Sequence, residues 1–171
     1  MRCPQCQSEI SDRDPKCSSC GFDPLSFDER LNQCPAPQGP LNDFAGLLKS
    51  EEASGIKKLL EDRQDRAGHE VVVVTVPTTA PLKPEHYVFW LYNEWRVGGK
   101  GHKGVMILLA LKERRVETEV GFGLEHILTD AESGRILDQA VVSRLKEGHY
   151  AEGLRTGVEA IIKALDRALQ R

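Results

Sequence analysis

The chain reads as an α/β fold, a mixed sheet with helices on both faces, preceded by a small cysteine-bearing domain. Three observations lead there. EVVVVTV (70–76) and VMILLAL (105–111) have the length and composition of buried strands. Around them lie stretches with apolar residues at three- and four-residue spacing, the mark of amphipathic helices. The first 28 residues hold CPQC and CSSCG but too few apolar side chains for a core of their own.

Residues 29–41, ERLNQCPAPQGPL, are proline-rich without apolar periodicity and read as a linker; the large domain spans 42–171. Its first helix starts at Ser50, with Glu51 and Glu52 favourable in the opening turn. Ile56, Leu59 and Leu60 give that helix an apolar face, and Gly68 stops it. Strand 70–76 follows. Pro84 suits the first turn of a second helix, PEHYVFWLYNEW (84–95), with Tyr87, Leu91 and Trp95 along one side. After the glycine-rich loop RVGGKGHKG (96–104) come strand 105–111 and RVETEV (115–120), a half-buried strand close enough to form a hairpin. Thr129, Asp130, Ala131 and Glu132 form a capping box opening a helix to about Lys146, with Ile136, Leu137, Ala140, Val141 and Leu145 inward. The last helix runs from about Ala151, with Leu154, Val158, Ile161, Ile162, Leu165 and Leu169 on one stripe. Strands 70–76 and 105–111 are expected to be parallel, joined by a right-handed crossover, and 115–120 antiparallel to its neighbour.

The 171 residues are 40% hydrophobic and 29% charged, with net charge −3, so no basic footprint for nucleic acid appears. MRCPQCQSEISDRDPK contains no apolar signal-like run, and VMILLAL is far short of the roughly 20 residues of a membrane span. The cytosol is the expected setting. Cys3, Cys6, Cys17 and Cys20 there point to a tetrahedral metal site, with a structural zinc ion favoured over rubredoxin-like iron and over two disulfides. The metal would replace the core that so short a segment cannot build. Four basic against six acidic residues up to Pro40 argue against phosphate contacts, leaving a structural or protein-docking role for this ribbon. Cys34 reads as a free thiol in the linker.

Chain direction puts loop 96–104 and segment 121–130 at one rim of the sheet. Glu125, Asp130 and Glu119 are candidate carboxylates there, and an oxygen-rich site suits Ca2+ or Mg2+. The plain alternative makes Asp130 and Glu132 helix-start residues and Glu125 a solvated loop residue.

LNDFAGLL (41–48) and the long stretch from Gly104 through EVGFGLEHILTDAE to Glu132 resemble the TPM domain family, over about residues 41–166. That family takes its name from a thylakoid-lumen acid phosphatase, a photosystem II repair protein and an acetylcholine-receptor modulator. The resemblance implies a three-layer α/β/α sandwich around a mixed, mainly parallel sheet. It also implies binding of a divalent cation, often calcium, and weak phosphatase activity. By motif position Asp43, Glu125 and Asp130 match the family's acidic residues, Glu119 an acidic position before the first glycine, and Arg114 the arginine that begins the third strand. His102-Lys103 departs from the acidic or asparagine residue common before the glycine, and places a base beside the proposed cation. Family members are often exported and membrane-tethered, whereas a ribbon stands here.

Two functions are open on this reading. One is a metal-assisted phosphomonoesterase, with Asp43, Glu125 and Asp130 on the metal and Arg114 or Lys103 on phosphate. No phosphatase signature accompanies them, and the five histidines are scattered. The other is a non-catalytic adaptor for assembly or repair of a protein complex. A protein partner is then expected, with GFGLEHIL as a docking surface or, equally, with Phe122 and Leu124 buried.

Overall fold

Leu41–Asp43 (β1), Glu70–Val76 (β2), Gly104–Ala110 (β3) and Arg115–Val120 (β4) form one sheet in that spatial order. The computed structural model describes Cys6, Ser8 and residues 16–22 and 36–169, so Cys3, Cys34 and most of the proline-rich linker lie outside the described residues. β1 to β3 are parallel and β4 is antiparallel to β3. Alternation along the strands sorts the core into two layers. Val71, Val73, Val105, Ile107 and Val120 face Ser50–Ala67 (α1), Asp130–Ala140 (α3) and Tyr150–Leu169 (α5) through Ile56, Leu60, Leu137, Leu154 and Ile161. Val72, Val74, Met106 and Leu108 face Pro84–Glu94 (α2) through Val88, Leu91 and Tyr92. This is the expected three-layer sandwich. Among the described residues no helix is long and apolar enough to cross a membrane.

Two elements differ from the sequence reading. β1 carries no periodic signal because it is three residues long, and it takes in Leu41, read above as the end of the linker. It is held by neighbours: the Val73 amide donates to the Pro40 carbonyl (2.8 Å), and buried Asn42 accepts from the Gln38 amide (2.7 Å) and donates to the Gly39 carbonyl (2.8 Å). The helix expected to run unbroken to Lys146 breaks at Val141 (φ −114°, ψ −44°), where Val142–Lys146 (α4) begins. α5 comes unusually close at this point. A Cβ on Gly157 would lie 2.6 Å from Val141 Cγ2, and one on Gly153 would lie 3.4 Å from both Val141 and Leu145. The two missing side chains let Val141 sink onto the α5 backbone, and the axis turns there.

The helix starts and glycines give two checks. The Thr129 hydroxyl accepts from the Glu132 amide (3.2 Å), and the Glu132 carboxylate accepts from the Thr129 amide (3.1 Å). Hydrogen bonds donated to that carboxylate by the Thr129 amide and hydroxyl hold the Glu132 pKa below its ordinary value of 4.5. A depressed folded-state pKa means stability that is present above 4.5 and lost as pH falls through the folded value. The melting-temperature gap between wild type and Glu132→Gln is therefore expected to close as the pH is taken below 4.5. Gly134 lies inside α3, where an added Cβ meets nothing within 4 Å. Gly134→Ala is expected to stabilise the fold by about 0.5–1 kcal/mol, read by thermal denaturation.

Candidate functional site

The cysteine segment closes into a knuckle at Cys17. The Cys17 amide donates to the Phe22 carbonyl and the Gly21 amide to the Cys17 carbonyl, both at 2.7 Å, with Gly21 in the left-handed region (φ 73°) that glycine adopts without cost. This brings the Cys6, Cys17 and Cys20 sulfurs within 4.8 Å of one another. Cys6 Sγ and Cys17 Sγ are 3.7 Å apart. A disulfide needs about 2.05 Å. Two thiolates bound tetrahedrally at a zinc distance of about 2.3 Å would lie about 3.8 Å apart, so the spacing suits an ion. Hydrogen bonds from Ser8, side chain first and then backbone, and those with Cys20 and Cys17 bring the Cys6 thiol down to about 6. Cys6 is therefore mostly thiolate at neutral pH, the form that binds metal. Cys17 is buried with Phe22 against Leu82, with Tyr87 of α2 alongside, so the knuckle rests on the large domain. With Cys3 as fourth ligand the set would be complete and closed; Cys3 lies outside the described residues.

The glycine loops do share one rim. The Gly121 amide donates to the Gly104 carbonyl (2.8 Å) and the Gly123 amide to the His102 carbonyl (3.1 Å), tying GFG onto loop 96–103. Glu70 braces the same loop by accepting from the Gly98 amide (2.6 Å). The glycines are there for contact. A Cβ on Gly121 would sit 2.1 Å from the His102 carbonyl and the Tyr92 hydroxyl, and one on Gly123 would sit 2.1 Å from the Gly101 carbonyl. Tyr92 lies beneath, its hydroxyl 3.4 Å from the Gly104 carbonyl. Burial, then the nearby Glu119 and Glu70 charges, push its pKa up to about 12, so it is a neutral hydrogen-bond donor at any physiological pH.

The candidate carboxylates divide. Glu119 is half-buried near the end of β4, opposite Met106, on the Tyr92 side of the sheet. Glu125 is exposed just beyond GFG, and Asp130 opens α3 with its side chain outside the described residues. Asp43 is at the other end. The register sets it beside Thr75, and Thr75 beside Leu109, whereas the rim begins at the Glu70–Gly104 pair. That is about 16 Å along the strands. Chain direction sets Asp43 apart from Glu119, Glu125 and Asp130, with which the family resemblance groups it: β1 runs parallel to β2 and ends where β2 ends. Its carboxylate is already engaged, accepting from the Leu47 amide (3.1 Å), the Leu48 amide (2.8 Å) and the Thr75 hydroxyl. Among the described residues the three cysteines are the one group of three or more potential ligands that converges.

The TPM domain family model matches residues 41–164, from β1 into the last turns of α5. The chain belongs to the TPM domain family. The TPM domain here is similar to the solution structure of the N-terminal domain of a protein from P. gingivalis, at 32% identity and a TM-score of 0.71, covering 77% of this chain and 84% of that one. Two further solution structures share the fold. One is the N-terminal domain of the cg2496 protein from Corynebacterium glutamicum (18% identity, TM-score 0.60, 76% and 84% covered). The other is the BA42 protein from Bizionia argentinensis (20% identity, TM-score 0.61, 71% and 83% covered). No curated protein matches the chain.

Within the TPM domain the two apolar residues of GFGLE part ways. Leu124 is fully buried, while Phe122 is 79% exposed at the tip of the rim, with His102, Lys103, Glu125 and His126 also exposed. Glu70, Thr75, Tyr92 and Leu82 escaped sequence reasoning. Each acts on a residue remote in the chain, and only Glu70, an acid opening an otherwise apolar strand, left a local trace.

Proposed function

We propose that this protein is a zinc-stabilised, non-catalytic adaptor, whose TPM domain docks on a protein partner through the rim carrying Phe122. The carrying observation is the convergence of Cys6, Cys17 and Cys20 on a knuckle seated against Leu82 and Tyr87. Cys3 would complete a four-thiolate set around zinc, which leaves no position for substrate, so the ion's part is structural. The cytosol suits a site that needs its thiols reduced. The exposed Phe122, on a rim held by backbone hydrogen bonds, offers a partner an apolar contact.

One observation favours a second reading. Glu119, Glu125 and the start of α3 at Asp130 belong to the same end of the sheet, without Asp43, and a hard cation such as Ca2+ or Mg2+ is the ion that carboxylates would gather there. Weak phosphatase activity would have to run through that ion. Purified protein incubated with an aryl phosphate and either cation tests both. On the adaptor reading any turnover is unchanged by Asp130→Ala, and calcium titration leaves the amide shifts of 96–104 and 121–130 in place. Turnover abolished by Asp130→Ala with the fold intact would replace the adaptor by an enzyme.

A further inference from the structure

A cavity lies at the end of the sheet opposite the GFG rim. It measures about 590 Å³ and opens between the β3–β4 turn and the α4–α5 turn, at the end of the sheet where β3 finishes. That volume is within the range of small-molecule sites. One part of its wall is apolar, made by Leu111, Val116, Val142, Leu145 and Tyr150. The charged part of the lining is three cations and one carboxylate: Arg114, Arg115, Lys146 and Glu147.

The charges are unevenly matched. Arg115 is taken by Glu117, with Nε 3.0 Å from Oε1, while Glu147 lies 3.6 Å from His149, an ion pair only where that histidine is protonated. Arg114 and Lys146 meet no carboxylate among the described residues. Arg114 also has φ 52°, a left-handed conformation that glycine or asparagine takes more easily than arginine. An unmatched guanidinium held at a strained turn, beside an unmatched ammonium and an apolar hollow, is arranged for an anion with an apolar body. Inorganic phosphate would leave the wall bare, and an uncharged hydrocarbon would leave both cations unmet. The first turn of α5, starting at Tyr150, adds a positive partial charge at the same place.

We propose that this cavity binds a small amphiphilic acid, its anionic group met by Arg114 and Lys146 and its two-ring or medium-chain acyl body lying against Val116, Leu145 and Tyr150. The site is independent of zinc and of the adaptor role.

The test uses two fluorescent dyes on the full, zinc-loaded chain: anilinonaphthalene sulfonate and its uncharged relative phenylnaphthylamine. The sulfonate should bind at one saturable site, at least tenfold more tightly than the neutral dye, since each charge-assisted hydrogen bond contributes that much. Decanoate should displace it and inorganic phosphate should not. The pair Arg114→Asn and Lys146→Gln keeps the left-handed turn and removes both charges. It should cost the sulfonate at least tenfold while leaving the neutral dye unaffected. Val142→Trp fills the hollow and should weaken both dyes. Equal affinity for the two dyes, sulfonate binding indifferent to the charge-removing pair, or no saturable site would each overturn the proposal.

Discussion

Cys17→Ser is expected to release the bound metal and unfold the knuckle while the TPM domain keeps its own cooperative transition. Elemental analysis should give one zinc per wild-type chain and none in the variant. The size of the effect follows from what holds each part together. The knuckle buries only Cys17 and Phe22 of its own described residues, and its remaining apolar neighbours, Leu82 and Tyr87, belong to the large domain. So small a cluster cannot offset the entropy of ordering the segment, whereas structural zinc contributes on the order of 10 kcal/mol or more in isolated zinc-binding peptides. The TPM domain has sheet layers on both faces that share no cysteine. A chelator should therefore reproduce the variant: loss of amide dispersion confined to the first residues, and a denaturant midpoint for the domain shifted little. A single transition in which both parts melt together on metal removal would show that the knuckle is integral to the domain.

Gly121→Ala is expected to be severely destabilising, costing about 3 kcal/mol or more in urea denaturation. The added carbon would lie 2.1 Å from both the His102 carbonyl oxygen and the Tyr92 hydroxyl. Neither can retreat cheaply. The His102 carbonyl accepts from the Gly123 amide, and the Tyr92 ring is buried under the start of β3. Relief would mean opening the loop pair, breaking the Gly121–Gly104 hydrogen bond and uncovering Leu124. A control in the same motif sharpens the reading: Phe122→Ser removes a mostly exposed ring and should change stability by no more than about 0.5 kcal/mol. On the adaptor reading the same substitution weakens partner binding, so stability and function separate at adjacent residues.

Much of this fold was legible because it rests on local signals. EVVVVTV gave β2 to the residue, RVETEV gave β4, and the Thr129–Glu132 box marked the start of α3 through chemistry four residues long. The unread parts depend on distant partners. β1 is three residues paired to β2, invisible to any window long enough to show alternation. The break at Val141 is imposed by glycines on α5, while Ile136 to Leu145 by themselves continue a helical pattern. The site divided in the same way. Cysteine spacing announced the knuckle, but its seat on Leu82 did not show. Motif position grouped Asp43 with Glu125 and Asp130 while the sequence left its end of the sheet open, and its carboxylate is spent on Leu47, Leu48 and Thr75.

The outer border of β4 carries one more lesson. Arg115, Glu117 and Glu119 alternate along it on the α2 side, and burial raises the Glu117 pKa despite its arginine neighbour, so these charges sit where an incoming strand would have to desolvate them. At the opposite border β1 offers only three residues. A sheet guarded on one flank and truncated on the other gives a second molecule little to zip onto, and concentrated solutions of this protein should resist fibre growth by strand addition.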